Sequence, residues 1–151
     1  MYLLDTNIIS YSVYRPDEHR LLAKNIRATR PTDRWISIVT AHELIAFKYE
    51  RIAATKSMAR SPLLRVYHAL DDILRLICKL PIKPFDEDAY HHYLGMPGHI
   101  DVNDRRIAAI ALSNNFTVVS HNKEDFAAIK AVRPSLRIED WVDTDFTARR
   151  S

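Results

Sequence analysis

The sequence predicts an α/β domain of three layers: a mainly parallel central sheet flanked by helices on both faces. Three observations carry that expectation. Short apolar, β-branched runs alternate with amphipathic stretches of helical period along nearly the whole chain. The first apolar run ends on an acid, Asp5, and the later runs lead within a few residues into helix starts that carry Glu43 and Asp125. At 151 residues the chain is long enough to bury one substantial core. Residues 1–142 are expected to form one domain and residues 143–151 (DTDFTARRS) a polar tail.

The elements follow in order. Residues 2–4 read as a short buried strand, and Thr6 to Val13 as a first helix that ends near Arg15-Pro16. Glu18 to Arg30 reads as a charged helix closed by Pro31. Trp35 to Val39 (WISIV) is short and β-branched, hence a strand, followed by a helix from Thr40 to Ile52. From Ser61 to Leu80, Leu63, Val66, Tyr67, Leu70, Ile73, Leu74 and Ile77 recur at three- and four-residue steps. Ser61 is the expected N-cap and Pro62 the first helical residue. This helix is expected to pack in the core or at a dimer interface. A strand at Ile82–Phe85, a helix at Asp86–Leu94 and a turn at Gly95–Gly98 come next. Val102 to Asn115 is a helix with an IAAIAL centre that is apolar all round, so buried. Phe116–Ser120 reads as a strand, Lys123–Ile129 as a short helix and Leu136–Ile138 as the last strand.

Composition excludes several function classes. With only Gly95 and Gly98, a phosphate-cradling Walker loop, a dinucleotide fingerprint and a G-x-S-x-G elbow are all absent. His42-Glu43 begins like a zinc-protease motif, but position 46 is alanine. One cysteine, Cys78, forms no internal disulfide, and neither a secretory signal nor a run of about 18 apolar residues is visible. A reducing cytoplasm and no membrane association are expected. The formal charge of +3 is compatible with a polyanionic partner without identifying one.

Four acids stand out by position. Asp5 ends the first strand; Glu43, Asp104 and Asp125 fall in the expected first turns of helices. In a parallel sheet all four come to the edge where the strands point, which is where such sheets bind ligands. Singly, each has an ordinary role. Thr40-Ala41-His42-Glu43 has the form of a capping box, and acids favour helix N-termini. Gathered at one edge they repel one another unless a cation offsets the charge. Carboxylate oxygens without thiolates select Mg²⁺ or Mn²⁺. Such an ion activates water and orients a phosphate, so phosphodiester hydrolysis needs no serine or cysteine nucleophile.

The stretches LLDTNIIS, VTAHELIAF, HIDVNDRRIAAIALSNNFTVVSHNKEDF and LRIEDW together resemble the PIN-domain family, specifically the VapC-type toxin ribonucleases. The resemblance implies a PIN-like fold and Mg²⁺- or Mn²⁺-dependent endoribonuclease activity, often on tRNA or rRNA. It implies a homodimer silenced by a VapB-type antitoxin protein. It makes Asp5, Glu43, Asp104 and Asp125 the catalytic, metal-binding acids. Thr6, Asn7 and Asn122 become the residues that orient them by hydrogen bonds. Arg105 and Arg106 follow Asp104, where the family more often carries at least one apolar residue; they are candidate RNA contacts, or lie on the outer face of the helix.

Alternatives remain at this stage. One is a non-catalytic protein on the same fold that binds RNA or a partner. The other is a metal-dependent phosphoesterase acting on DNA or small substrates. LLDTN also resembles the opening of haloacid-dehalogenase-like phosphatases, but those need an acid at the position of Asn7. Asp86 and Asp101 are expected to cap their helices, and His91 and His92 to lie on the surface. Arg20, Lys24, Arg27 and Arg30 read as a solvated basic face.

Overall fold

The computed structural model describes residues 1–55 and 60–145, without the side chain of Ser61. Its strands are β1 (Tyr2–Leu4), β2 (Arg34–Ser37), β3 (Ile82–Lys83), β4 (Thr117–Val119) and β5 (Arg137–Glu139). Its helices are α1 (Thr6–Tyr14), α2 (Arg20–Ala28), α3 (Ile38–Ala53), α4 (Arg60–Ile77), α5 (Glu87–Tyr93), α6 (Val102–Ser113) and α7 (Lys123–Val132). All five strands run parallel in the order β3-β2-β1-β4-β5. The chain therefore starts at the centre, winds outward through β2 and β3, then crosses back to β4 and β5. The expected three-layer parallel architecture is the one observed.

Strand alternation divides the core in two. Tyr2, Leu4, Ile36 and Val119 point to one face, where Ile8, Leu22, Ile73 and Trp141 cover them. Leu3 and Val118 point to the other, against Ile107, Ile110, Phe126 and Ile129. Ile107 to Ala111 of α6 are all buried, as the all-round apolar IAAIAL stretch requires.

One boundary differs in a way that matters. β2 ends at Ser37, whose Oγ accepts from Thr40 N at 2.8 Å and caps α3. Ile38 and Val39 are helical, although their β-branched side chains read as strand. Thr40 is therefore no cap, and Glu43 is the sixth residue of its helix rather than a first-turn acid. α4 is already helical at Arg60, so Ser61 and Pro62 lie inside the helix rather than at its expected cap and first position, and residues 56–59 lie outside the described residues. Its buried contacts come from Ile73 and Ile77, while Leu64, Tyr67 and Leu74 stay exposed. Beyond β5, the Asn25 amide donates to Trp141 O at 3.0 Å and Thr144 O at 2.8 Å. The rest of the polar tail, 146–151, lies outside the described residues. Among the described residues, no helix is long and apolar enough to cross a membrane.

Candidate functional site

Adjacent strands β1 and β4 leave the sheet's carboxyl edge with their next connections running in opposite directions, which opens a crevice between them. Asp5 stands in that crevice. Its N–H bonds Val119 O at 3.0 Å, continuing the ladder one residue past the strand. Its side chain does two jobs at once. Oδ1 accepts from Thr6 N at 2.6 Å, capping α1. Oδ2 accepts from Asn7 Nδ2 and from Ser120 Oγ, each at 2.6 Å. A carboxylate has about four lone-pair positions, so this leaves Asp5 about one for anything else.

The other three acids meet it through neutral donors. Thr6 Oγ1 donates to Glu43 Oε2, and Asn103 Nδ2 donates to Glu43 Oε1 at 2.9 Å. Asn122 Nδ2 is shared between Asp104 Oδ2 at 2.7 Å and Asp125 Oδ2 at 2.9 Å. The loop after β4 is fastened to α1 as well, by His121 N on Asn7 Oδ1 and Asn7 Nδ2 on Ser120 Oγ, each at 3.1 Å, and Asn122 N closes the loop on Ser120 Oγ at 2.9 Å. Thr6 thus bonds Asp5 and Glu43, Asn7 bonds Asp5, and Asn122 bonds Asp104 and Asp125.

The capping roles separate cleanly. Asp101 is the cap of α6, accepting from Asn103 N at 2.7 Å, and Asp86 caps α5 through Ala89 N. Asn122 precedes α7 but makes no side-chain capping bond. Its amide is turned to the acids instead. Glu43 and Asp125 are therefore not members of capping boxes; the Asp104 N–H donates to Asp101 Oδ1 at 3.4 Å, while its carboxylate turns to Asn122.

Crowding these carboxyls has an electrostatic cost. Asp5 is 3% exposed. Burial lifts its carboxyl to about 6 and the Glu43 charge adds to the lift, against the bonds from Ser120, Thr6 N and Asn7. Asp104 is raised to about 7, chiefly by burial and then by the charges of Asp5, Asp101 and Asp125. Both shifts mark uncompensated negative charge. An all-oxygen donor set carrying such charge fits a hard divalent cation.

Among the described residues, the compact group of metal-type ligand atoms, all within 4.8 Å of one another, is a different one: His121, Asp140 and Asp143. No three of the four acids bring ligand atoms that close together; Thr6 lies between Asp5 and Glu43, and Asn122 between Asp104 and Asp125. The His121 group already holds a cation of its own. Lys123 Nζ lies 3.0 Å from Asp140 Oδ2 and 2.7 Å from Asp143 Oδ2. It clamps the segment after β5 to the loop that carries Asn122.

Two residues escaped the sequence reading. Asn103 holds Glu43 across 60 positions of chain, and its own Oδ1 accepts from Arg106 at 3.1 Å. Ser120 joins Asp5, Asn7 and Asn122. No local motif marks either. Arg105 lies over the Tyr93 ring, 5.1 Å from its centre, so it packs against α5 while Arg106 turns to Asn103. Lys24 pairs with Asp145 and Arg30 with Asp33, while Arg20 and Arg27 are exposed. His91 and His92 are at the surface.

Comparison with known proteins gives a consistent picture. Residues 2–132 match the family described as the PIN domain. Among solved structures, FitAB bound to an IR36 DNA fragment superposes with a TM-score of 0.71 at 22% identity, covering 95% of this chain and 97% of that one. VapBC-1 from nontypeable Haemophilus influenzae gives 0.66 at 27% identity over 93% and 97%. A toxin–antitoxin complex from Klebsiella pneumoniae gives 0.66 at 19% identity over 95% and 100%. No curated protein matches the chain significantly.

Proposed function

The chain belongs to the PIN-domain family, and from that premise we propose that it is a Mg²⁺- or Mn²⁺-dependent endoribonuclease, the toxin half of a VapBC-type toxin–antitoxin module. The observation that carries the reading is the convergence of Asp5 and Glu43 on Thr6 and of Asp104 and Asp125 on Asn122, with Ser120 bonding both Asp5 and Asn122, at the sheet's crevice. The similarity to a VapBC pair and to a toxin–antitoxin complex supports the toxin role, and with it a VapB-type antitoxin as partner. A homodimer in the cytoplasm completes the proposal.

In this reading Asp5, Glu43, Asp104 and Asp125 would hold the divalent ion. When bound, the ion supplies Lewis acidity toward water and the phosphoryl oxygens. The chain's part is placement and charge. Asp5 is pinned by three hydrogen bonds, so its remaining lone pair has one direction. Asn122 holds Asp104 and Asp125 at a common donor, and Thr6 with Asn103 fixes both oxygens of Glu43. Without the ion, burial and the neighbouring acids raise the Asp104 carboxyl to about 7, so taking up a divalent ion there would release its proton.

The test is cleavage of RNA by the purified protein in Mg²⁺, in Mn²⁺ and in EDTA, beside Asp5→Asn purified in the same way. Cutting that needs metal and is lost in Asp5→Asn is the expected result. Cutting in EDTA, or at the wild-type rate by Asp5→Asn, would overturn the assignment.

A further inference from the structure

A cleft of about 1110 Å³ opens beside the acids, enclosed by α1, α3 and α4. Thr6 and Glu43 stand at its junction with the site. From there Thr6, Ser10 and Tyr14 line it at four-residue steps along α1, and Glu43, Phe47 and Arg51 do so along α3. Eight residues of helix carry the lining about 12 Å away from the acids. Along that length the wall changes sign. Arg15, Lys48, Arg51 and Arg65 line it, and Glu43 is the one acid among its described lining residues.

Lys48 is the informative member. As a whole residue it is 4% exposed, and its ammonium lies 3.9 Å from the centre of the Tyr14 ring and 5.2 Å from that of Phe47. It makes no ion pair or hydrogen bond among the described residues. The stem is buried while the ammonium sits at ring faces with no anion beside it, so it is open to one. Burial, with the Arg51 charge adding to it, holds the Lys48 amine below the usual lysine range. The two rings that flank it are themselves open, Tyr14 41% and Phe47 54% exposed. A cation without an anionic partner, between accessible aromatic faces, suits a ligand that alternates anionic groups with flat rings, as single-stranded nucleic acid does.

We propose that this cleft is the substrate track of the site: Lys48 binds a backbone phosphate of single-stranded RNA, and Tyr14 and Phe47 stack bases beside it. The proposal rests on the ribonuclease reading above and deepens it. It places the track along α3 and α1, whereas Arg105 of α6 is engaged with Tyr93. It also gives the strand a hold outside the acidic crevice, which by itself repels phosphate.

The test is fluorescence anisotropy of a labelled 12-nucleotide single-stranded RNA in EDTA, with wild type, Lys48→Met and Lys48→Arg. Lys48→Met keeps the stem and removes the charge, so binding should weaken about tenfold. Its salt dependence should become shallower by about 0.7 in log–log slope, the value for one single-strand phosphate contact. Lys48→Arg should bind like wild type. Phe47→Ala, at a half-exposed position that the fold does not need, should weaken binding about fivefold or more.

Unchanged affinity in Lys48→Met and Phe47→Ala overturns the proposal, as does failure of wild type to bind the RNA. A labelled acidic, Phe-containing peptide that binds through Lys48 while RNA binding ignores Lys48 also overturns it, and assigns the cleft to a protein segment. Cleavage in Mn²⁺ separates the two readings. If wild type cuts RNA and Lys48→Met binds and cuts equally well, only the track falls. If RNA binding depends on Lys48 but no RNA is cut, only the nuclease reading falls.

Discussion

Replacing Asp104 by asparagine should make the metal-free protein more stable at pH 8 while abolishing cleavage. The substitution keeps the side chain's shape and leaves an amide oxygen to accept from Asn122 Nδ2, which now lies 2.7 Å from the carboxylate. What it removes is charge. Asp104 titrates near 7 in the fold against an ordinary 3.8, raised first by burial and then by Asp5, Asp101 and Asp125. Because the folded value is the higher one, the native state binds the extra proton between about pH 4 and pH 7. Stability from this group is therefore present at low pH and lost as pH rises through 7. At about 1.36 kcal/mol per tenfold in acidity the upper bound is about 4 kcal/mol. Asp104 is only partly buried, and solvent screening reduces the figure to about 1–2 kcal/mol. For a chain of this length that is about 2–8 °C in melting temperature. The assay is thermal unfolding by circular dichroism at pH 5 and pH 8 in EDTA, then with Mn²⁺. Asp104→Asn should melt above wild type at pH 8, close to it at pH 5, and gain nothing from Mn²⁺. A lower melting temperature than wild type at pH 8 in EDTA would refute the electrostatic reasoning.

Three further outcomes follow from the same contacts. Asn103→Ala frees one oxygen of Glu43 and should cut Mn²⁺ affinity and cleavage about 10- to 100-fold, with an unchanged circular dichroism spectrum. Calorimetry and initial rates on the one preparation check both. Ser120→Ala removes the bond that most lowers the Asp5 carboxyl. The acidic limb of the pH–rate profile should then move to higher pH; an unmoved limb would place it on another group. Trp141 is fully buried against Tyr2, with ring centres 4.9 Å apart. Trp141→Ala should cost about 3–5 kcal/mol of unfolding free energy, measured by denaturant titration, because the segment after β5 closes one face of the core.

Much of this was legible because it is local. The strand at residues 2–4 and the IAAIAL helix declare themselves by apolar pattern, and the alternation of elements sets the parallel sheet. Asp5, Glu43, Asp104 and Asp125 were visible as acids close behind strands or early in helices. What misled was local too. Ile38 and Val39 are β-branched and extend a strand pattern, yet Ser37 caps at that point and turns them into the first turn of α3. That slip made Glu43 look like a capping acid. Asn103 and Ser120 were not legible because their partners lie 60 and 115 positions away. Only the crossing of the sheet brings them together. The Lys48 cleft was hidden for a similar reason. A lysine five residues after Glu43 looks solvated in a sequence, and its burial depends on Tyr14 of a different helix.

The most direct measurement of the central claim is a calorimetric Mn²⁺ titration at pH 8. It compares wild type, Asp5→Asn, Asp104→Asn and His121→Ala, the last taken from the separate cluster with Asp140 and Asp143. If the acids at the crevice hold the ion, wild type and His121→Ala bind Mn²⁺ alike, and both aspartate variants lose it. Binding that survives in Asp5→Asn and Asp104→Asn but vanishes in His121→Ala would contradict the account and move the ion to the other cluster.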